Sequence, residues 1–172
     1  KWPDLNEIDF DEMKTMNEKY LGTDRINQLG IHLGFWERLM CLMDVSNAAI
    51  ALVDEDQEYA LQEFLDKLSD FYCDYITRVS KIGRIDSVMV HDDWGTNNGP
   101  FFSLETARKF FVAPIKKVVD TCHSLDIIYE HHCCGKAQAL APAMVECGTD
   151  YWFPQSTIND LDQLIADYKN DH

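Results

Sequence analysis

The chain has 172 residues, of which 46% are hydrophobic and 12% aromatic, so it can bury the core of one ordinary domain and is not disordered in composition. Fifteen basic residues stand against thirty acidic ones, and the formal charge of -15 argues against nucleic-acid binding. The sequence has no apolar run of about 18 residues and no basic-then-apolar leader, so we expect a cytoplasmic protein without a membrane span.

Periodicity predicts alternating helices and strands after a polar N-terminal excursion over residues 1–25, all within a single domain over 1–172. In chain order the predicted elements are a strand within 26–34, a helix beginning at Phe35, a helix over 56–81, a strand over 85–90, a helix capped by Ser103 and kinked at Pro114, a strand over 126–132, a helix over 137–146 that stops at Gly148, a strand over 151–153 and a last helix capped by Thr157.

The six cysteines could in principle form a disulfide framework, but a domain of this size does not need such cross-links. Cys41, Cys73 and Cys122 lie in apolar helical patterns and are interpreted as small core residues. Cys133 and Cys134 differ because they adjoin two histidines, so their chemistry is considered separately.

A repeated unit of helix, short turn, aspartate and apolar strand predicts an α/β fold with parallel strands joined by right-handed crossovers. A (β/α)8 barrel and an open doubly wound sheet both fit this pattern. The absence of a glycine-rich phosphate loop argues against a nucleotide-binding open sheet. Polar residues gather after the strand ends, where barrel enzymes place their chemistry. Only about four strands are visible, so the prediction is a partial TIM barrel.

A short polar motif, His131-His132-Cys133-Cys134-Gly135, ends one predicted strand. Alternate residues of a strand share a face, so His132 and Cys134 would point to one side together. An imidazole and a thiolate are preferred zinc ligands, although a core histidine beside a buried thiol is the plainer interpretation. Cys147 follows at the far end of the next helix and is a poor third ligand.

A second polar motif, His91-Asp92-Asp93-Trp94-Gly95-Thr96, ends the preceding strand. Asp92 and Asp93 are candidate catalytic carboxylates, able to orient a substrate or exchange protons, unless they only form a solvated turn. His91 and Trp94 are candidate substrate contacts, and Trp94 could equally be plain packing. Glu130 could likewise contact the substrate, support a histidine or pair with a cation inside the barrel.

Several motifs together resemble the uroporphyrinogen decarboxylase-like superfamily. They are Asp92-Asp93-Trp94-Gly95-Thr96 with Gly99-Pro100-Phe101-Phe102-Ser103, then His132-x-Cys134-Gly135, then Gly148-x-Asp150 with Gln155, and upstream Trp36-Glu37-Arg38. The resemblance runs from about residue 30 to the C-terminus. It implies a (β/α)8 barrel and adds Gln155 to the candidate substrate contacts.

The His-x-Cys-Gly motif is similar to that of the corrinoid-dependent methyltransferase branch. In that branch, zinc activates a thiol acceptor toward the methyl group of a methylated corrinoid supplied by a partner protein. The resemblance implies that His132 and Cys134 are metal ligands. It also places the third ligand, a distant cysteine, beyond residue 172.

Two other functions fit the same resemblance. The first is metal-independent decarboxylation of uroporphyrinogen, although the arginine-rich N-terminal motif of those enzymes is absent from this sequence. The second is a non-catalytic partial barrel that binds a tetrapyrrole or a partner chain. An incomplete barrel leaves an open sheet edge, and a second copy of the chain could cover it to form a homodimer.

Overall fold

The computed structural model describes residues 2–154 and 158–169. Within those residues, four strands form one parallel sheet in the order β1-β2-β3-β4. The strands are β1 (Gln28–Ile31), β2 (Ser87–His91), β3 (Ile128–Cys133) and β4 (Tyr151–Pro154). The helices are α1 (Phe10–Leu21), α2 (Phe35–Met43), α3 (Val45–Ala51), α4 (Glu58–Val79), α5 (Leu104–Phe110), α6 (Val112–Ser124), α7 (Ala141–Cys147) and α8 (Leu161–Tyr168).

The spatial order of the strands follows their order in the sequence. This is the arrangement of a barrel wall, whereas the strand order of a doubly wound sheet reverses at a switch point. Each strand is parallel to the next, and helices lie in every connection between strands. The predicted α/β fold, a partial (β/α)8 barrel, is therefore confirmed.

The two faces of the sheet differ in burial. Residues on the outer face, such as Val88, Tyr129 and Cys133, are fully buried in the core that the sheet forms with the helices. On the inner face, His91 and His132 are half-buried. The inner face is thus the accessible one, and it holds the polar residues singled out in the sequence.

The long helix predicted over 56–81 is confirmed as α4, whose buried positions Leu61, Leu65, Leu68, Tyr72, Ile76 and Val79 follow helical spacing. The helix predicted from Ser103 is instead two helices, α5 and α6, which are separated at Phe111. Pro114 accounts for the break, because proline has no N–H and its ring clashes with the carbonyl of the residue four positions earlier, Phe110.

The repeated aspartate that precedes the strands joins neighbouring strands at their amino ends. Asp86 Oδ2 accepts the backbone N–H of Asn27 at 2.8 Å, just before β1. Asp150 Oδ2 accepts the N–H of Tyr129 in β3 at 2.7 Å. Each of these two carboxylates fixes its strand against the preceding one.

Capping residues define the limits of α7 and α8. The last helix is capped by Asp160, whose carboxylate accepts the N–H of Gln163, while Thr157 lies outside the described residues. Gly148 ends α7 in the left-handed conformation, with φ of 81°, as the sequence predicts. The N-terminal excursion contains the helix α1, which has no buried residue.

The prediction for the helical cysteines is only partly right. Cys122 is buried and Cys73 is half-buried, but Cys41 is exposed because it lies on the outer side of α2. None of the six cysteines, which all lie within the described ranges, forms a disulfide. Across residues 2–154 and 158–169, no helix has the length and apolar character needed to cross a bilayer.

Candidate metal centre

The site lies where the carboxyl ends of β2 and β3 meet. His91 is paired with His132 in the sheet, and the backbone N–H of Asp92 donates to the carbonyl of His132 at 3.0 Å. The loops that follow the two strands approach so closely at Gly95 and Gly135 that a Cβ at Gly135 would lie 2.2 Å from the Gly95 oxygen. These contacts place the two polar motifs of the sequence side by side.

Asp93, His132 and Cys134 converge at this point, with one ligand atom from each within 4.8 Å of the others. His132 Nε2 lies 3.4 Å from Cys134 Sγ and 3.9 Å from Asp93 Oδ1. As the strand alternation predicts, His132 and Cys134 are half-buried on the inner side while His131 and Cys133 are buried on the other. The three donors could hold a metal ion.

The electrostatics of the site favour a cation. Burial, together with the hydrogen bond and charge of Asp93, raises the pKa of the Cys134 thiol to about 11. Burial and the charges of Asp92 and Asp93 raise the pKa of Glu37 to about 7. Negative groups thus crowd together here, and a bound cation would stabilise their ionised forms.

Asp92, predicted to be catalytic, is fully buried behind this cluster. Its carboxylate accepts the backbone N–H groups of Trp36 at 3.2 Å and Glu37 at 2.9 Å, which are the second and third residues of α2. The N-cap residue of α2 is Gly34, which has no side chain to cap the helix, so Asp92 supplies the cap from another segment. The geometry gives Asp92 a structural role, and a catalytic one stays a prediction.

Trp94, predicted to contact the substrate, is fully buried. Its indole N–H donates to Asp92 Oδ2 at 2.9 Å, and its ring packs edge-on against His131, with centroids 4.9 Å apart. Its backbone N–H donates to Cys133 Sγ at 3.2 Å. The packing interpretation of Trp94 matches these contacts, and the residue supports the site from the helix side of the sheet.

The other predicted substrate contacts occupy different positions. The His91 ring lies between two imidazoles on the inner face, with centroids 4.9 Å from His32 and 4.6 Å from His132. Glu130 lies two residues before His132 on β3, on the same inner face, and its Oε2 accepts a hydrogen bond from Gln28 Nε2 at 3.0 Å. Gln155 lies outside the described residues. Of His91 and Glu130, the two that the structure describes, His91 is the one that directly adjoins the metal-ligand cluster.

Two residues near the cluster were not selected from the sequence as functional. His32 follows β1 and extends the row of imidazoles across three strands. Glu37 was noted only as part of the Trp36-Glu37-Arg38 resemblance. The position of His32 directly after a predicted strand, similar to that of His91, could have identified it as a candidate site residue. No local pattern around Glu37 indicates that α2 begins beside the ends of β2 and β3.

Comparisons with known proteins agree with this architecture. The sequence model of the family described as uroporphyrinogen decarboxylase (URO-D) matches residues 12–167. A solved structure of a methyltransferase from Methanosarcina mazei is similar in fold, with a TM-score of 0.62 and 19% sequence identity over 83% of this chain. The chain spans only 40% of that protein. No curated protein sequence matches this chain. The chain belongs to the uroporphyrinogen decarboxylase family.

Proposed function

We propose that this chain forms part of a zinc-dependent methyltransferase, which moves a methyl group from a methylated corrinoid to a thiol or folate-type acceptor. The observation that carries the proposal is the convergence of Asp93, His132 and Cys134 at the carboxyl edge of the sheet. This edge is where barrel enzymes place their reactions. The similarity in fold to a methyltransferase from Methanosarcina mazei adds support.

The donor set fits zinc in chemistry, and its spacing is close to that of a tetrahedral zinc site. Zinc in proteins is bound by imidazole nitrogen, thiolate sulfur and carboxylate oxygen, and tetrahedral ligands about 2.0–2.3 Å from the ion lie roughly 3.3–3.7 Å from one another. The distances from His132 Nε2 to Cys134 Sγ and Asp93 Oδ1 are 3.4 and 3.9 Å. With Asp93 in the place that the resemblance gave to a cysteine beyond residue 172, three protein ligands would leave the fourth position for an acceptor, as in other catalytic zinc sites.

Zinc supplies Lewis acidity that makes a bound thiol a thiolate at neutral pH. The residues of this chain would hold and shape the site around that ion. Cys134 would bind as a thiolate, and its backbone N–H, which donates to Asp93 Oδ1 at 2.6 Å, ties the two ligands together. His91 would border the acceptor because its ring packs against His132 on the open inner face.

The proposal is tested by measuring zinc per chain by elemental analysis in the intact protein. The variants His132→Ala and Cys134→Ser remove one proposed ligand each. His123→Ala and Cys41→Ser are matched controls, because His123 pairs with Asp150 near the amino ends of the strands and Cys41 is exposed on α2. We expect about one zinc ion per chain in the wild type and both controls, and a loss in both ligand variants. A folded wild-type protein without zinc would contradict the proposal.

The alternative is metal-independent decarboxylation of a porphyrinogen, which the family name favours. Incubation of the zinc-free protein with uroporphyrinogen separates the two functions. Release of carbon dioxide without zinc would support decarboxylation, whereas methylation of a thiol by a methylated corrinoid only in the presence of zinc would support methyl transfer.

The corrinoid would be carried by a partner protein that docks against the open edge of the barrel, and we propose that this takes place in the cytoplasm. The inner face of β4, the last strand in the sheet order, offers apolar surface for such contacts, since Tyr151 and Phe153 are 56% and 46% exposed. Pairing with a second copy of the chain would use the same face. The mass of the protein in solution, alone and with a methylated corrinoid protein, distinguishes these associations.

A further inference from the structure

The start of helix α2 is held against the site by contacts with the segment that follows β2. The N–H of Gly34 donates to the carbonyl of His91 at 2.7 Å, and the carboxylate of Asp92 caps the next residues of the helix. Gly34 lies so close that a Cβ at this position would be 2.5 Å from Cβ and Cγ of Asp92. The position of α2 is therefore fixed by direct contact with β2 rather than by its own cap.

This arrangement brings Glu37, in the first turn of α2, into electrostatic range of the cluster. The charges of Asp92 and Asp93 act on the Glu37 carboxyl, and the charge of Glu37 acts in turn on the Cys134 thiol. One carboxylate oxygen of Glu37, Oε2, is buried and has no hydrogen-bond partner among the residues that the structure describes. A buried carboxylate oxygen without a partner is costly, so its placement beside other acidic groups calls for a compensating positive charge.

We propose that Glu37 belongs to the metal centre as a neighbour that contributes negative charge beside the three converging donors. Asp92 is the positioning residue that holds Glu37 there. This inference rests on the proposed function, because it requires a cation at Asp93, His132 and Cys134. It gives Asp92 a part in the site without contact to any substrate. It also explains why two adjacent aspartates have different surroundings: Asp93 faces the cluster, and Asp92 faces the helix.

The test measures the affinity of the intact protein for Zn²⁺ by competition with a chromophoric chelator, and the absorption spectrum of the Co²⁺ form. Glu37→Gln removes the charge but keeps the side-chain shape, so we expect metal affinity to fall about tenfold, as for other groups next to a ligand set. The sulfur-to-cobalt band should remain, because His132 and Cys134 still bind. Glu37→Asp keeps the charge one methylene farther back and should retain an intermediate affinity.

Asp92→Asn should also weaken metal binding, because one of the two carboxylate oxygens that accept N–H groups at the start of α2 becomes an NH2 group, which cannot accept them, and Glu37 is then held less firmly. If Asp92 acts through Glu37, the double variant should bind no more weakly than Glu37→Gln alone. Controls are Glu63→Gln, an exposed carboxylate paired with Lys67, and Asp9→Asn, the cap of α1. Neither control should change the affinity.

The outcomes separate the two proposals. A wild-type protein that binds no metal at His132 and Cys134 overturns the proposed function and this inference together. A protein that binds metal with wild-type affinity after Glu37→Gln overturns only the inference. Losses that multiply in the double variant show that Asp92 acts independently of Glu37 and overturn its positioning role. If Asp92→Asn does not fold, the Glu37→Gln and Glu37→Asp pair decides the question alone.

Discussion

Asp93 Oδ1 accepts the backbone N–H of Cys134 at 2.6 Å, across the gap between the ends of two neighbouring strands. The bond fixes a carboxylate beside a thiol, although 41 positions separate the two residues in the chain. A carboxylate held in this way needs no rearrangement to approach a metal ion. Preorganised ligands of this kind are what a catalytic metal site requires.

Asp93→Asn should therefore weaken metal binding while leaving the fold intact. The asparagine oxygen can still accept the Cys134 N–H, but a neutral amide is a poorer zinc ligand than a carboxylate. We expect the Zn²⁺ affinity to fall at least about tenfold and the sulfur-to-cobalt band of the Co²⁺ form to persist. Asp74→Asn, which alters an exposed ion pair with Arg78, serves as the control. Unchanged affinity in Asp93→Asn would show that Asp93 is not a ligand.

The sequence was sufficient to predict the alternation of helices and strands and the pairing of His132 with Cys134. Both depend on local regularities, the helical repeat and the two-residue repeat of a strand. The short helix α3, over Val45–Ala51, was not predicted, because it is mostly small residues with little amphipathic pattern. The sequence predicts a kink at Pro114, whereas the structure has a break between α5 and α6. Proline can kink or break a helix, and packing against the rest of the protein decides between the two.

The third donor could not be predicted from spacing along the chain. Asp93 meets Cys134 only because β2 and β3 pair in one particular register, and a strand register is set by the whole sheet. The cap that Asp92 gives to Glu37 spans 55 positions. Such contacts are visible only after folding, so two adjacent aspartates that look equivalent in the sequence have separate roles.

Metal binding should strengthen as the pH rises, because the ion competes with protons for its ligands. The pKa of Cys134, raised to about 11 by burial and by Asp93, means that the thiol is protonated before the metal binds. We expect Zn²⁺ affinity to rise about tenfold for each pH unit from 7 to 9. Below the raised pKa of Glu37, about 7, a second proton should be released and the dependence should steepen. Competition titrations at several pH values, on wild type and Glu37→Gln, measure both effects; an affinity independent of pH would contradict them.

The carboxyl group of Glu37 should lower the stability of the metal-free protein above neutral pH. The folded-state pKa of Glu37 is raised from 4.5 to about 7, so the folded protein holds this proton more tightly than the unfolded chain does. The stability that this bound proton contributes to the folded protein is fully present below pH 4.5 and is lost as the pH rises through 7. After allowance for solvent screening, Glu37→Gln should raise the free energy of unfolding at pH 8 by about 1–2 kcal/mol.

Urea denaturation at pH 5 and pH 8, with chelator present, measures this difference. The gain from Glu37→Gln should be larger at pH 8 than at pH 5, whereas Glu63→Gln on the exposed face of α4 should give no comparable gain. Equal stability of wild type and Glu37→Gln at pH 8 would show that the carboxylate is already compensated by the protein. Stability gained and metal affinity lost in one variant would mark Glu37 as a group kept for binding rather than for folding.

The contact of the two loops at Gly95 and Gly135 should be intolerant of side chains. Gly135 has φ of 78° and its Cβ would lie 2.2 Å from the Gly95 oxygen, so alanine adds both a strained backbone and a clash with backbone atoms that cannot turn aside. We expect Gly135→Ala to lower the free energy of unfolding by about 2–4 kcal/mol, measured by urea denaturation.

Gly22→Ala is the matched control, because a Cβ there meets nothing within 4 Å. It should leave stability nearly unchanged. Since Cys134 directly precedes Gly135, the alanine variant should also separate the thiol from Asp93 and weaken Zn²⁺ binding beyond what the loss of stability explains. A Gly135→Ala protein with wild-type stability and metal affinity would show that the loops relax freely, and that the alignment of the three donors does not depend on their contact.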